Sequence, residues 1–365
     1  MKNKNTKRGA RFYVTIVVGV IIILATLLTL IEYIINQKVP HPEYLVLIFM
    51  VVGFLAGYFV HNLLHEMGHM LFAKMSGAKI YGVSFLGMVI NGKESKKRFY
   101  FDIKSGVAGW TSFIPKKPNG APKSLVLSLL GGLLGSLISI VGVFVGLYFA
   151  RQYQNSILVY ILTTALCSNF YLILLNFFTH MPGTDGNLLA VKHGVHSNEF
   201  YDSLVKLEYQ SHFLNEVSLK EVQNLMCKDI LPQNFFTVYD VQKSLQMGNL
   251  VGAEKLCDDA INGRKSTDNG LIDLLIEDLF IAIVQENDQK IQSLYKKLEG
   301  SLLEQDSLSS LRTAIFYRMY NGERDWALSL KKTYEKTLDE CPLKGLQKTE
   351  REIFQNYFKN QAKIS

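Results

Sequence analysis

Residues 125–178 read LVLSLLGGLLGSLISIVGVFVGLYFA, then RQYQNS, then ILVYILTTALCSNFYLILLNFF. Each apolar run is long enough to cross a bilayer core as a helix, since about 20 apolar residues at 1.5 Å rise per residue suffice. The few polar residues around Arg151–Asn155 make the two helices antiparallel neighbours. Two more runs lie upstream. Tyr44–Val60 is apolar, and its helical pattern continues to Lys74. Phe12–Ile35 is interrupted only by Thr15, Thr26, Thr29 and Glu32. That first run follows a basic start, but it is too long for a signal-peptide core and no A-x-A site closes it, so it reads as a retained span. Pro40 and Pro42 separate it from the second run. The expected fold is thus a four-span α-helical polytopic membrane domain over 12–190, with spans at about 12–35, 44–74, 125–150 and 157–178. A basic tail, 1–11, precedes it.

Charge gives the orientation. Up to residue 186 the chain carries 17 Lys+Arg against 6 Asp+Glu, and beyond it 22 against 26. The basic excess therefore flanks the apolar runs, as membrane orientation requires, and a nucleic-acid partner is not expected. Residues 76–124 hold nine Lys/Arg, while the two short loops on the other side hold only Lys38 and Arg151. By the positive-inside rule, both termini and the 76–124 loop face the cytoplasm of a cell membrane. Compact loops suit a bacterial plasma membrane.

The second run ends in His61-Asn-Leu-Leu-His65-Glu66-Met-Gly-His69. His65 and His69, four apart, share a helix face and can reach one Zn²⁺, and Glu66 beside them is placed to act as a base on water. Ionisable groups on a spanning helix are costly and usually functional. His61, one turn earlier, reads as support for the site. A catalytic zinc takes three protein ligands and keeps one open position. Asp185, in the turn-forming Pro182-Gly-Thr-Asp-Gly186 after the fourth run, is the expected third ligand, with His180 its rival.

With His65-Glu66-x-x-His69 in one span, Asp185-Gly186 two spans later and Leu130-Gly-Gly-Leu-Leu-Gly135-Ser136 between them, the chain resembles the site-2-protease-type intramembrane zinc metalloproteases. It departs from that family where Ser136 stands in place of an asparagine and where Asn176 and Pro182 are out of register. The resemblance implies Zn²⁺ on His65, His69 and Asp185, with Glu66 as catalytic base. It also implies hydrolysis of membrane-embedded substrates, either single-pass proteins or signal-peptide remnants. The rival reading is a catalytically silent membrane scaffold, against which an intact Glu66 argues.

Lys79–Phe85 and Arg98–Ile103 alternate in β fashion around Asn91-Gly92, a hairpin-turn signal. The loop is expected either to pack on the bundle or to offer an edge strand to substrate. Its Lys96-Lys97-Arg98 cluster suits anionic lipid headgroups. Gly131 and Gly135 predict close helix packing. Residues 198–365 read as an all-α cytoplasmic domain that can recruit a protein partner. There Gly248…Ala253 and Gly322…Ala327 look like related helix–turn–helix units, with a degenerate unit over Phe280–Leu298; they resemble a tetratricopeptide array, with a plain bundle as alternative. Cys167, Cys227, Cys257 and Cys341 have no C-x-x-C spacing, which excludes a thiolate zinc site and a disulfide framework.

Overall fold

The computed structural model describes residues 43–92, 99–101, 109–177, 184–189, 198–223, 225, 228, 236–263, 271–298 and 307–361. The expected first span, His180, Pro182, Cys227 and the Lys96-Lys97-Arg98 cluster lie outside these residues. The chain separates into two compact units, Met1–Pro115 with Pro122–Phe200, and Lys116–Ala121 with Tyr201–Ser365.

Among the described residues of the first unit, three helices are long and apolar enough to cross a membrane: α1 (Glu43–Met75), α2 (Ala121–Gln152) and α3 (Ser156–Phe177). Their surfaces invert the pattern of a soluble protein. Leu47, Val51 and Leu55 of α1 and Ile138, Val141 and Phe144 of α2 are exposed, while Asn62, Ser128, Ser139, Thr164, Ser168 and Asn169 are buried. Apolar groups outside and hydrogen-bonded polar groups inside is the arrangement a lipid solvent favours, because only the interior offers polar partners. Asn169 Nδ2, for example, donates to Ser139 Oγ at 3.0 Å, joining α3 to α2.

Glycines let the helices touch backbone to backbone. A Cβ on Gly53 would lie 2.2 Å from the Ile161 carbonyl oxygen of α3, and one on Gly57 2.5 Å from Ala165 Cα. On the α2 side, a Cβ on Gly68 would lie 2.0 Å from the Gly131 carbonyl oxygen, and one on Gly135 2.2 Å from that of Leu64. The Gly131/Gly135 pair therefore packs helix against helix. The Gly53-x-x-x-Gly57 pair does the same on the other side of α1.

After α1, Gly77 (φ +88°) ends the helix and the chain enters a four-stranded antiparallel sheet of order β3-β2-β1-β4. Its strands are β1 (Ala78–Phe85), β2 (Met88–Asn91), β3 (Phe99–Phe101) and β4 (Gly109–Pro115). The tight turn falls at Leu86-Gly87, both at positive φ, and not at Asn91-Gly92. The reason is register. Phe85 pairs with Met88 and Gly82 with Asn91, which buries Val89 completely and leaves Asn91-Gly92 at the far end of the ladder, where the Gly92 N–H donates to the Tyr81 carbonyl at 2.7 Å.

The unit closes with the four-residue α4 (Asp185–Leu188) and continues into α5 (Asn198–Phe213), most of which belongs to the second unit. There follow α6 (Thr237–Gln246), α7 (Leu250–Gly263), α8 (Leu271–Val284), α9 (Asp288–Leu298), α10 (Leu308–Tyr320), α11 (Arg324–Glu340) and α12 (Lys344–Gln361). The pairs α6/α7, α8/α9 and α10/α11 share one turn. In each, the second residue after the first helix has positive φ (Gly248, Glu286, Gly322), and the next residue's N–H bonds five residues back, Asn249 to Ser244, Asn287 to Ala282 and Glu323 to Arg318. This is a Schellman-type cap, and glycine suits it best because αL costs glycine nothing. Glu286 is why the middle unit looks degenerate in sequence.

The apolar core of this unit encloses an ion triad. Arg312, fully buried, donates through Nη2 to Glu277 at 3.0 Å and through Nε to Glu350 at 3.0 Å, with its guanidinium 4.3 Å from the Phe280 ring centroid.

Candidate metal centre

Helix α1 brings His65 and His69 to one face, and the first residue of α4 brings Asp185 to meet them. The His65 and His69 Nε2 atoms are 3.1 Å apart, and Asp185 Oδ2 lies 3.3 Å from the first and 3.2 Å from the second. All three residues are buried.

Each imidazole is oriented through its other nitrogen. His69 Nδ1–H donates to the Ser128 carbonyl at 2.8 Å, which leaves its Nε2 as a lone pair facing the triangle. His65 Nδ1 lies 2.9 Å from Ser136 Oγ, which lies 3.1 Å from His61 Nε2. If His65 also turns a bare Nε2 inward, its Nδ1–H donates to Ser136, and the Ser136 hydroxyl donates to His61. His61 thus supports His65 through a serine, as a histidine outside the triangle.

With both Nε2 lone pairs turned inward, three electron-pair donors lie 3.1–3.3 Å apart, an arrangement that a cation between them would stabilise. Asp185 Oδ2 is buried and has no hydrogen-bond donor among the described residues. Tetrahedral ligation at about 2.0–2.1 Å sets neighbouring ligand atoms about 3.3–3.4 Å apart, so the observed triangle has the size for Zn²⁺. Two nitrogens and a carboxylate oxygen are also a donor set that zinc accepts. Gly132 borders the triangle: a Cβ there would come within 2.4 Å of His69 Nε2 and 2.8 Å of Asp185 Oδ2. Gly132→Val is therefore expected to abolish stoichiometric metal binding in the purified protein, measured by elemental analysis, with helix content unchanged by circular dichroism. Ser136→Ala is expected to weaken metal affinity about 10–100-fold, measured by chelator competition, because supporting hydrogen bonds carry effects of that size.

Glu66 follows His65 on α1 and is buried. Its Oε2 accepts a 2.6 Å hydrogen bond from the Thr111 hydroxyl of β4, and Gly109 on the same strand leaves room for the carboxylate, since a Cβ there would lie 2.5 Å from Oε1. The sheet is thus part of the site, through its edge strand. Sequence reading brought forward His65, Glu66, His69 and Asp185, and the structure brings the three ligand candidates together. It did not anticipate Thr111, Ser128 or the bridging part of Ser136. The first two carry no sequence signal, and Ser136 stood out only as a departure from an asparagine.

No protein-family model, no curated protein and no solved structure matches this chain.

Proposed function

We propose that this chain is an intramembrane zinc metalloendopeptidase that hydrolyses peptide bonds of membrane-embedded substrates, single-pass proteins or signal-peptide remnants, near the cytoplasmic face. The observation that carries this reading is the buried His65–His69–Asp185 triangle, with Glu66 next to it in sequence, inside a bundle whose exterior is apolar. The charge distribution supports four spans with both termini in the cytoplasm, which adds residues 12–35 to the three apolar helices described. The second unit then lies in the cytoplasm, available to a protein partner.

When bound, zinc supplies Lewis-acid polarisation of the scissile carbonyl and acidification of water. The chain does the rest. His65, His69 and Asp185 hold the ion, and the Ser128 carbonyl and Ser136 hydroxyl fix the two imidazoles. Glu66, steadied by Thr111, takes the proton from the attacking water and returns it to the leaving amine. A helical substrate has its peptide groups bonded internally and must become extended to be cut. Strand β4, an edge of the sheet and the strand that anchors Glu66, can receive such a segment by strand addition.

The test compares membranes of cells expressing wild type or Glu66→Gln. One or a few membrane-embedded proteins or peptides should accumulate uncut only with the variant, in quantitative proteomics. An unchanged membrane proteome, with both proteins folded and zinc-loaded, would overturn the reading in favour of a silent scaffold.

A further inference from the structure

The second unit contains a cavity of about 490 Å³ walled by α5, α6 and α8, with the ends of α10, α11 and α12 completing it. That volume is in the range of small-ligand sites. One wall is an aromatic pair: Tyr209 and Tyr239 stack face to face, their centroids 3.6 Å apart and their planes 14° apart. The charged lining is Asp202, Asp273, Glu340 and Glu350 against the single cation Lys206.

These carboxylates are not equivalent. Glu350 is engaged by Arg312 at 3.0 Å, and Asp202 by Lys206 at 3.1 Å. Elsewhere in the unit, the buried Asp278 is met by Lys290 at 2.8 Å. Asp273 is the exception, half-buried on the cavity wall with no hydrogen bond or ion pair among the described residues. Burial raises its pKa above the ordinary aspartate range; Lys206 opposes the rise, and the neighbouring carboxylates Asp202 and Glu277 add to it. A half-buried carboxylate that lines a cavity and has no paired cation is placed to meet one there. The Tyr239 hydroxyl, whose ionisation Asp202 and Asp273 further oppose, has no hydrogen-bond partner among the described residues either. A cation would satisfy both groups at once. A bare metal ion would leave the tyrosine faces unused, whereas an ammonium or guanidinium on an aliphatic stem places charge at Asp273 and carbon against the rings.

We infer that this cavity binds an organic cation, an alkyl ammonium or alkyl guanidinium, with Asp273 as its counter-ion and the Tyr209–Tyr239 pair as its wall. Free diamines and basic side chains of peptides share this chemistry.

The test is isothermal titration of the full chain in detergent with cadaverine, agmatine and the peptide acetyl-Lys-Leu-amide, with glutarate as the anionic control. Saturable binding of cations is expected, with none of glutarate. Tighter binding of cadaverine or of the peptide assigns the source, and either supports the site. Asp273→Asn should weaken binding at least about tenfold, the order expected for losing a charge-assisted contact. Lys206→Met should tighten it, because the resident competing cation is gone. Opposite effects of the two variants cannot come from general loosening of the fold. The inference is overturned if no cation binds saturably at millimolar concentration, if glutarate binds as well as the cations do, or if Asp273→Asn binds as wild type does.

Discussion

Replacing Arg312 with leucine is expected to destabilise the C-terminal unit by about 3–5 kcal/mol, the usual result of removing one partner from a buried ion group. The side chain is fully buried, and its loss leaves Glu350 of α12 without its cation and Glu277 of α8 with only the Gln242 amide, in a core lined by Phe280, Phe316 and Phe354. Replacing the whole triad by apolar residues, Glu277→Leu with Arg312→Met and Glu350→Leu, is expected to recover most of that loss, because no charge is then left without a partner. The pH dependence has a definite sign. Burial already raises the pKa of Glu350, with Arg312 opposing the rise. Without the arginine the folded-state pKa climbs further above its unfolded value. The folded chain then binds more protons than the unfolded one between those two values, so stability falls as pH rises through them. The deficit of the single variant should therefore shrink on acidification towards the carboxylate range. Thermal unfolding of the full chain can follow this: Trp110 and Trp326 are its two tryptophans, and in a Trp110→Phe background Trp326 reports on this unit alone.

On the proposed reading, Glu66→Gln is expected to lower peptide hydrolysis by about 10²–10⁴-fold while zinc content stays at the wild-type level. The substitution is close to isosteric, and the glutamine carbonyl can still accept the Thr111 hydroxyl, so the geometry around β4 survives. What is lost is the ability to take a proton. Asp185→Ala should behave differently and lose both metal and activity, since it removes one corner of the triangle. Measuring single-turnover cleavage and metal content on the same preparations separates the two. Equal loss of metal in both variants would count against Glu66 as base.

The long apolar helices α1, α2 and α3 were legible because extended apolar runs have few other uses, and the histidine pair because i and i+4 share a face whatever surrounds them. Asp185 was legible only by topology: its turn-rich surroundings look like any loop, and a helix of four residues leaves no periodicity. The hairpin was misplaced because Asn91-Gly92 has the better turn chemistry locally, yet pairing along β1 and the burial of Val89 outweigh a local preference for φ > 0 and put Leu86 there instead. Gly53 and Gly57 passed as filler in an apolar run, although each marks a backbone contact. The Glu277–Arg312–Glu350 triad was invisible for a different reason. Its members lie on separate helices, and sequence does not say which charges a fold will bring together, although Glu277-Asp278 inside an otherwise apolar stretch was an available clue.

The glycines of α1 have a mechanical consequence. This helix rests on α3 at Gly53 and Gly57, against backbone and the small side chains of Thr164, Ala165 and Ser168, and on α2 at Gly68, against the Gly131 backbone. Such close contacts leave a helix little room to roll or slide, so the helix that carries His65, Glu66 and His69 is the stator of the first unit.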